Sequence, residues 1–264
     1  MTPYYYHPWK VDLTTTETEL WDEYTQQIQI KLAYAKEIDI SFWESNPTFR
    51  QIVAKYPSLQ ELYIKRARLI KNAENKFSTA LSIIESKYSP GQKWLIYCDG
   101  IGQLNVIQRA LLEKDYDSYV FHSSMEGDRN ETLKYFSRYG GILVSIRCLD
   151  EGVDIPSATH AIILASSKNP REYIQRRGRI LRRSTGKMSA HLFDTIVVPN
   201  LNNVEDNTHI SIVEAELSRA IKFGKWAENP SCINDLLIIA KENGIDYEAN
   251  WKAGIEDGDE TESE

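Results

Sequence analysis

The sequence predicts an α/β protein, a parallel sheet with helices on both faces, with further helical segments on its N-terminal and C-terminal sides. Two observations predict this. Over residues 92–198, short apolar runs alternate with stretches of about ten residues patterned as helices, the rhythm of a parallel sheet with helical crossovers. The runs are apolar throughout instead of alternating, as strands buried on both faces require.

Each element can be justified in turn. Residues 1–13 are aromatic and extended: Pro3 and Pro8 oppose helix, and Tyr4, Tyr5 and Tyr6 favour strand. Residues 14–90 read as helices. Thr16 followed by Glu19 suggests a capping box, and Leu20, Tyr24, Ile28 and Leu32 recur at helical spacing. Asn46-Pro47 breaks the pattern. From Glu61 to Ser86 the helical pattern resumes with Lys65, Arg66, Arg68, Lys71 and Lys76, either a solvated face or a nucleic-acid-facing stripe. Five strands follow: WLIYC (94–98), SYVFH (118–122), GILVSI (141–146), THAIIL (159–164) and SAHLFD (189–194). Gln103 to Lys114 and Arg129 to Tyr139 suit helices between them. Residues 201–253 return to helix, with Ser231 as a cap and Asn243-Gly244 as a stop. The end, 254–264, is acidic and expected to be disordered.

Composition narrows the function classes. No apolar run reaches the roughly 20 residues that a membrane-spanning helix needs, and MTPYYYHPWK has no secretory pattern. A cytoplasmic protein without a membrane partner is expected. Cys98, Cys148 and Cys232 are far apart and form no CxxC pair, so neither a zinc site nor a disulfide framework is expected. The formal net charge is −7, but residues 256–264 hold six acids and no base; without them the remainder carries about −1. From Lys168 to Lys187 there are eight bases and one acid, Glu172. Local charge decides where a polyanion docks.

Ligands of a parallel α/β sheet bind at the carboxyl ends of the strands. The unusual residues follow the strands: Asp99-Gly100, then Ser123-Ser124-Met125, then Arg147 and LDEGVDIP, then QRRGRILRR on a predicted helix. In order and spacing, LVSIRCLDEGVDIP (143–156) resembles motif V of superfamily 2 helicases. QRRGRILR (175–182) resembles motif VI, KWLIYCDG (93–100) motif IV, and FHSSMEGDR (121–129) the segment after it. TPYYYHPWKVDLT and RARLIKNAENKFSTAL resemble the restriction-enzyme and excision-repair branch of that superfamily.

The resemblance implies a RecA-like C-terminal motor domain over residues 91–200, preceded by a linker at 1–13 from a first motor domain. It implies ATP as cofactor, with Mg²⁺ bound through that first domain, and DNA as the track. Arg179 and Arg182 match the two arginines that reach ATP across the cleft; three apart on a helix, they share one face. Gln175 lies a turn earlier. Gly152 and Asp154 match the motif V positions that face the nucleotide or an interdomain partner. Asp99, Gly100, His122, Ser123, Ser145 and Arg147 match positions on the nucleic-acid backbone, though His122 also fits a satisfied strand-end histidine. Ile146 stands where many relatives have threonine, so a hydroxyl contact is lost or moves to Ser145.

No segment fits GxxxxGK[ST]; in STGKM (184–188) Met188 replaces the required hydroxyl residue. The phosphate cradle is therefore expected on another domain, with this chain alone inactive. The other reading is a stand-alone nucleic-acid-binding or partner-docking module without ATP turnover. Retained arginines and Asp154 favour the motor.

Overall fold

The computed structural model describes residues 2–125, 127–146, 158–165, 181, 184, 186–199, 210–242 and 245. Six strands form one all-parallel sheet: β1 (Tyr4–Val11), β2 (Lys93–Tyr97), β3 (Ser118–Phe121), β4 (Gly141–Ser145), β5 (His160–Ile163) and β6 (Ala190–Val197). Their order is β1-β6-β5-β2-β4-β3. All carboxyl ends therefore lie on one edge. Nine α-helices are described: α1 (Thr15–Ile38), α2 (Ile40–Glu44), α3 (Phe49–Lys55), α4 (Pro57–Lys71), α5 (Asn75–Lys87), α6 (Ile101–Leu112), α7 (Arg129–Tyr139), α8 (Ile210–Lys225) and α9 (Asn234–Glu242). None is long and apolar enough to cross a membrane.

The apolar strands are buried on both faces. On one face Leu95, Leu143 and Leu192 meet Phe136 of α7 and Leu217 and Ile221 of α8. On the other, Trp94, Ile96, Ile142 and Ile162 meet Ile83 and Ile84 of α5 and Leu104 and Ile107 of α6. Helix α5 thus covers one face of the sheet together with α6, and helices α8 and α9 cover the other.

Residues 4–11, expected in a linker, are the edge strand of the sheet. Tyr6 is fully buried, and its hydroxyl donates to Asp194 Oδ2 at 2.7 Å. Tyr4 donates to the Phe223 carbonyl at 2.8 Å. Pro8 is tolerated because an edge strand does not need every N–H.

The N-terminal cap of α1 falls two residues before the expected position. Thr14 accepts from the Glu17 amide, and Glu17 accepts from the Thr14 amide, a capping box one Thr–Glu pair earlier. Glu17 also accepts from the Glu74 amide at 2.8 Å, which ties α1 to the start of α5 and selects that pair. Trp21, Thr25, Ile28, Leu32 and Ala35 form the buried stripe of α1; Leu20 and Tyr24 lie at its margin. Ser231 sits in a short 3₁₀ turn, Pro230–Ile233, before α9 and does not cap it.

The basic stretch 61–86 is two helices, and it is neither of the expected faces throughout. Arg66 is fully buried, its guanidinium over the rings of Trp21 (5.0 Å) and Tyr63 (5.4 Å). Lys76 is also buried. Lys65 pairs with Glu61 on the surface.

Candidate functional site at the carboxyl edge of the sheet

Sheet order places the exit of β4 between the exits of β2 and β3. The segment after β2 and that after β3 are thus two strand spacings apart, about 10 Å. Asp99 follows β2. Its amide donates to Gln103 Oε1 at 2.8 Å, and its carboxylate lies 3.6 Å from Lys71 Nζ at the end of α4. Gly100 caps α6 with extended backbone and no side-chain acceptor, and a Cβ there would meet nothing within 4 Å. No N-cap side chain accepts from the first amides of α6, and a helix start of this kind suits an anion.

His122 follows β3, with its ring Nδ1 3.2 Å from Ser124 Oγ; Ser123 beside it is exposed. His122 and Ser123 are thus surface groups on the edge that Asp99 and Gly100 share. Ser145 differs. It is fully buried, and its hydroxyl donates to the Ile96 carbonyl at 3.4 Å. Both faces of β4 are covered by the core, so either side-chain direction at its last residue is enclosed. Ile146 packs partly buried against the α5/α6 side of the core. Arg147, Gly152, Asp154, Gln175, Arg179 and Arg182 lie outside the described residues.

The structure adds groups that the sequence did not single out as site residues. Lys76, in the first turn of α5, donates to the Leu164 carbonyl at 2.6 Å, just past the end of β5. Burial lowers its pKa to about 8, with Glu216, Asp194 and Asp99 acting the other way. Thr195 Oγ1 donates to the Ile163 carbonyl at 2.9 Å. Arg219 of α8 pairs with Asp194 of β6 beneath the same edge. A carboxylate within the apolar run SAHLFD was the available signal, because a buried charge needs a partner. Cys98, at the β2 exit, is buried, and burial pushes its thiol above the ordinary range, which makes it a poor nucleophile. Among the described residues no group of three or more His, Cys, Asp or Glu could hold a metal ion.

An all-parallel six-stranded sheet flanked by helices, with polar loops and an uncapped helix start at its carboxyl edge, defines a RecA-like α/β domain. Residues 75–184 match the helicase conserved C-terminal domain, and the chain resembles the C-terminal RecA-like domain of superfamily 2 helicases. That match begins at α5, the helix that the packing also assigns to the sheet. DEAD-box ATP-dependent RNA helicase 39 of Arabidopsis thaliana is 24% identical over 117 residues, covering 43% of this chain and 19% of its own length. DNA 3′-5′ translocase XPB2 of Sulfurisphaera tokodaii is 39% identical over 66 residues, covering 24% of this chain and 15% of its own. The chain thus spans less than a fifth of these relatives. Among solved structures, the Sulfolobus solfataricus SWI2/SNF2 ATPase core in complex with dsDNA shares the fold at a TM-score of 0.50 and 13% identity, over 73% of this chain and 41% of that one.

Proposed function

We propose that this chain is the C-terminal motor half of an ATP-dependent DNA helicase or translocase, completing an ATP site whose phosphate cradle lies on a first RecA-like domain. The observation that carries the reading is the ordered run from KWLIYCDG to QRRGRILR, four segments in the order of a helicase motor, within the matched residues 75–184.

In this reading Arg179 and Arg182 face the γ-phosphate when the two domains close. Phosphoryl transfer needs positive charge against oxygens whose charge spreads in the transition state, and an arginine finger is worth about 10³–10⁵ in rate. Gly152, Asp154 and Gln175 contact the nucleotide or the facing domain. Mg²⁺ is held by the first domain together with ATP, where it offsets phosphate charge; this chain supplies arginines, not metal ligands.

On the track side, Asp99 and Gly100 lead into the first turn of α6, while His122, Ser123 and Arg147 supply polar side chains. Such contacts grip sugar and phosphate without reading sequence. DNA is favoured by the branch resemblance; the relatives' names include both an RNA helicase and a DNA translocase.

ATP turnover tests the reading. The chain alone should hydrolyse ATP negligibly, and the chain joined to a first motor domain should show DNA-stimulated turnover. Robust DNA-stimulated hydrolysis by this chain alone would sink the shared-site proposal. Labelled-oligonucleotide titrations of the chain alone should show weak, sequence-independent binding with a shallow dependence on salt, because few phosphates are neutralised.

A further inference from the structure

We propose that Lys76 is a positioning residue of the motor: from the start of α5 its buried ammonium holds the exit of β5, the strand from which the arginine-bearing segment departs. This rests on the reading of Arg179 and Arg182 given above.

The geometry is specific. Lys76 is 1% exposed. Its Nζ donates to the Leu164 carbonyl at 2.6 Å and lies 3.4 Å from the Lys71 carbonyl at the end of α4. Gln103 of α6 donates to that same Lys71 carbonyl at 3.3 Å while its Oε1 takes the Asp99 amide. One ammonium and one amide thus join the end of α4, the start of α6, the exit of β2 and the exit of β5.

The Leu164 carbonyl needs such a partner. The described β5 ends at Ile163, and among the described residues this oxygen otherwise meets the hydroxyl of Thr195, at 3.5 Å. Its amide is held by the Tyr97 carbonyl at 3.0 Å. Both sides of residue 164 are therefore fixed, one by the sheet and one by Lys76.

A purely structural role would not call for a lysine. Methionine has a similar length and would fill the space without desolvating a charge. No carboxylate among the described residues lies within ion-pair distance of Nζ; the partners are carbonyls. What the ammonium adds is several donors aimed at carbonyls of different elements. The charged groups around it are Lys71 at the end of α4, Asp99 at the β2 exit, Asp194 on β6, and Glu216 and Arg219 on α8. The carboxylates keep the amine protonated near neutral pH although burial opposes it.

The test uses the full chain together with its first motor domain. Lys76→Met should lower saturated, DNA-stimulated turnover about tenfold or more, since small misplacements of reacting groups are costly. The KM for ATP should move less than about threefold, because binding rests mainly on the other domain. The melting temperature should change little, since relief of a desolvated charge offsets the loss of the donor to the Leu164 carbonyl. In the chain alone, amide exchange across residues 160–165 should accelerate while the other strands keep their protection.

Turnover within about twofold of wild type would overturn the proposal. So would a lowered melting temperature with turnover per folded molecule preserved, the mark of a merely structural residue. If Lys76→Met does not fold, the wild-type pH profile decides. Turnover should decline through about pH 8 as the amine loses its proton, while melting temperature does not fall. Lys187→Gln should keep that decline, since Lys187 also has its pKa lowered to about 8. A flat profile from pH 7 to 9 overturns the proposal. Absence of turnover in the wild-type assembly would instead sink the motor reading, and the exchange experiment would still decide whether Lys76 holds β5.

Discussion

Arg219 grips Asp194 with both ends of its guanidinium: Nη2 lies 3.1 Å from Oδ1, and Nη1 contacts Oδ2. Tyr6 of the edge strand donates to the same Oδ2, and Glu216 takes a second bond from Nη2 at 3.0 Å. One buried carboxylate therefore joins β1, β6 and α8. Removing one partner of such a pair leaves a charge stranded in the core. Asp194→Ala should cost roughly 3–5 kcal/mol in urea unfolding. Asp194→Ala combined with Arg219→Met should cost less than the sum. A single-mutant cost below about 1 kcal/mol would show the pair to be solvated.

Three histidines lie side by side on neighbouring strands. The His191 ring stacks on His160 at 5.1 Å and on His7 at 5.5 Å, and His160 stacks on Trp94 at 4.4 Å. Burial first, then the neighbouring histidines, lowers His7 and His160 to about 4; Lys87 adds to the effect on His7. The unfolded chain thus binds protons at about pH 6.5, before the folded protein does. Stability should be full above that pH, fall as pH drops from about 6.5 to 4, and flatten below. The loss should be of order 1 kcal/mol per histidine, discounted for partial exposure. His160→Gln should flatten this part of the unfolding profile; an unchanged slope would contradict the ladder.

Gly140 ends α7 at φ +81°. A Cβ there would lie 2.7 Å from the Gln92 carbonyl oxygen and 2.8 Å from that of Gly91, both backbone atoms that cannot swing away. Gly140→Ala should cost about 2 kcal/mol or more. Gly91 has a similar φ, +84°, but open space around its Cβ direction. Gly91→Ala should therefore cost about 1 kcal/mol. Thermal unfolding of the two variants separates the clash from the conformational strain. Equal losses would show that the packing at Gly140 yields.

The sheet was legible because its five runs are mainly apolar without alternation, a pattern that burial on both faces explains, although β3 at the edge is only half-buried. The edge strand was half legible. Tyr4, Tyr5 and Tyr6 announced an extended segment, but pairing with β6, 186 residues away in the register of Tyr4 with Ala190, leaves no local mark. The cap of α1 was displaced because TTTETE offers two Thr–Glu pairs, and only the contact of Glu17 with the distant Glu74 amide chooses between them. In the candidate site, Asp99, Gly100, His122 and Ser123 follow directly from strand ends. Ser145 ends β4 and is buried, which its place at a strand end does not reveal. Lys76 and Arg66 read as surface bases, since charge in a helical pattern does not reveal which face packs.

The motor reading is tested most directly by turnover of the chain joined to a first motor domain, with Arg182→Ala beside wild type. Arginine fingers act mostly in the transition state, so turnover should fall by about two orders of magnitude or more. ATP affinity should change far less, and DNA affinity without nucleotide little. Arg182→Lys should rescue poorly, because it keeps the charge but loses the planar fork. Near-normal turnover in both Arg179→Ala and Arg182→Ala would contradict the account and leave QRRGRILRR a packing or phosphate-tracking helix.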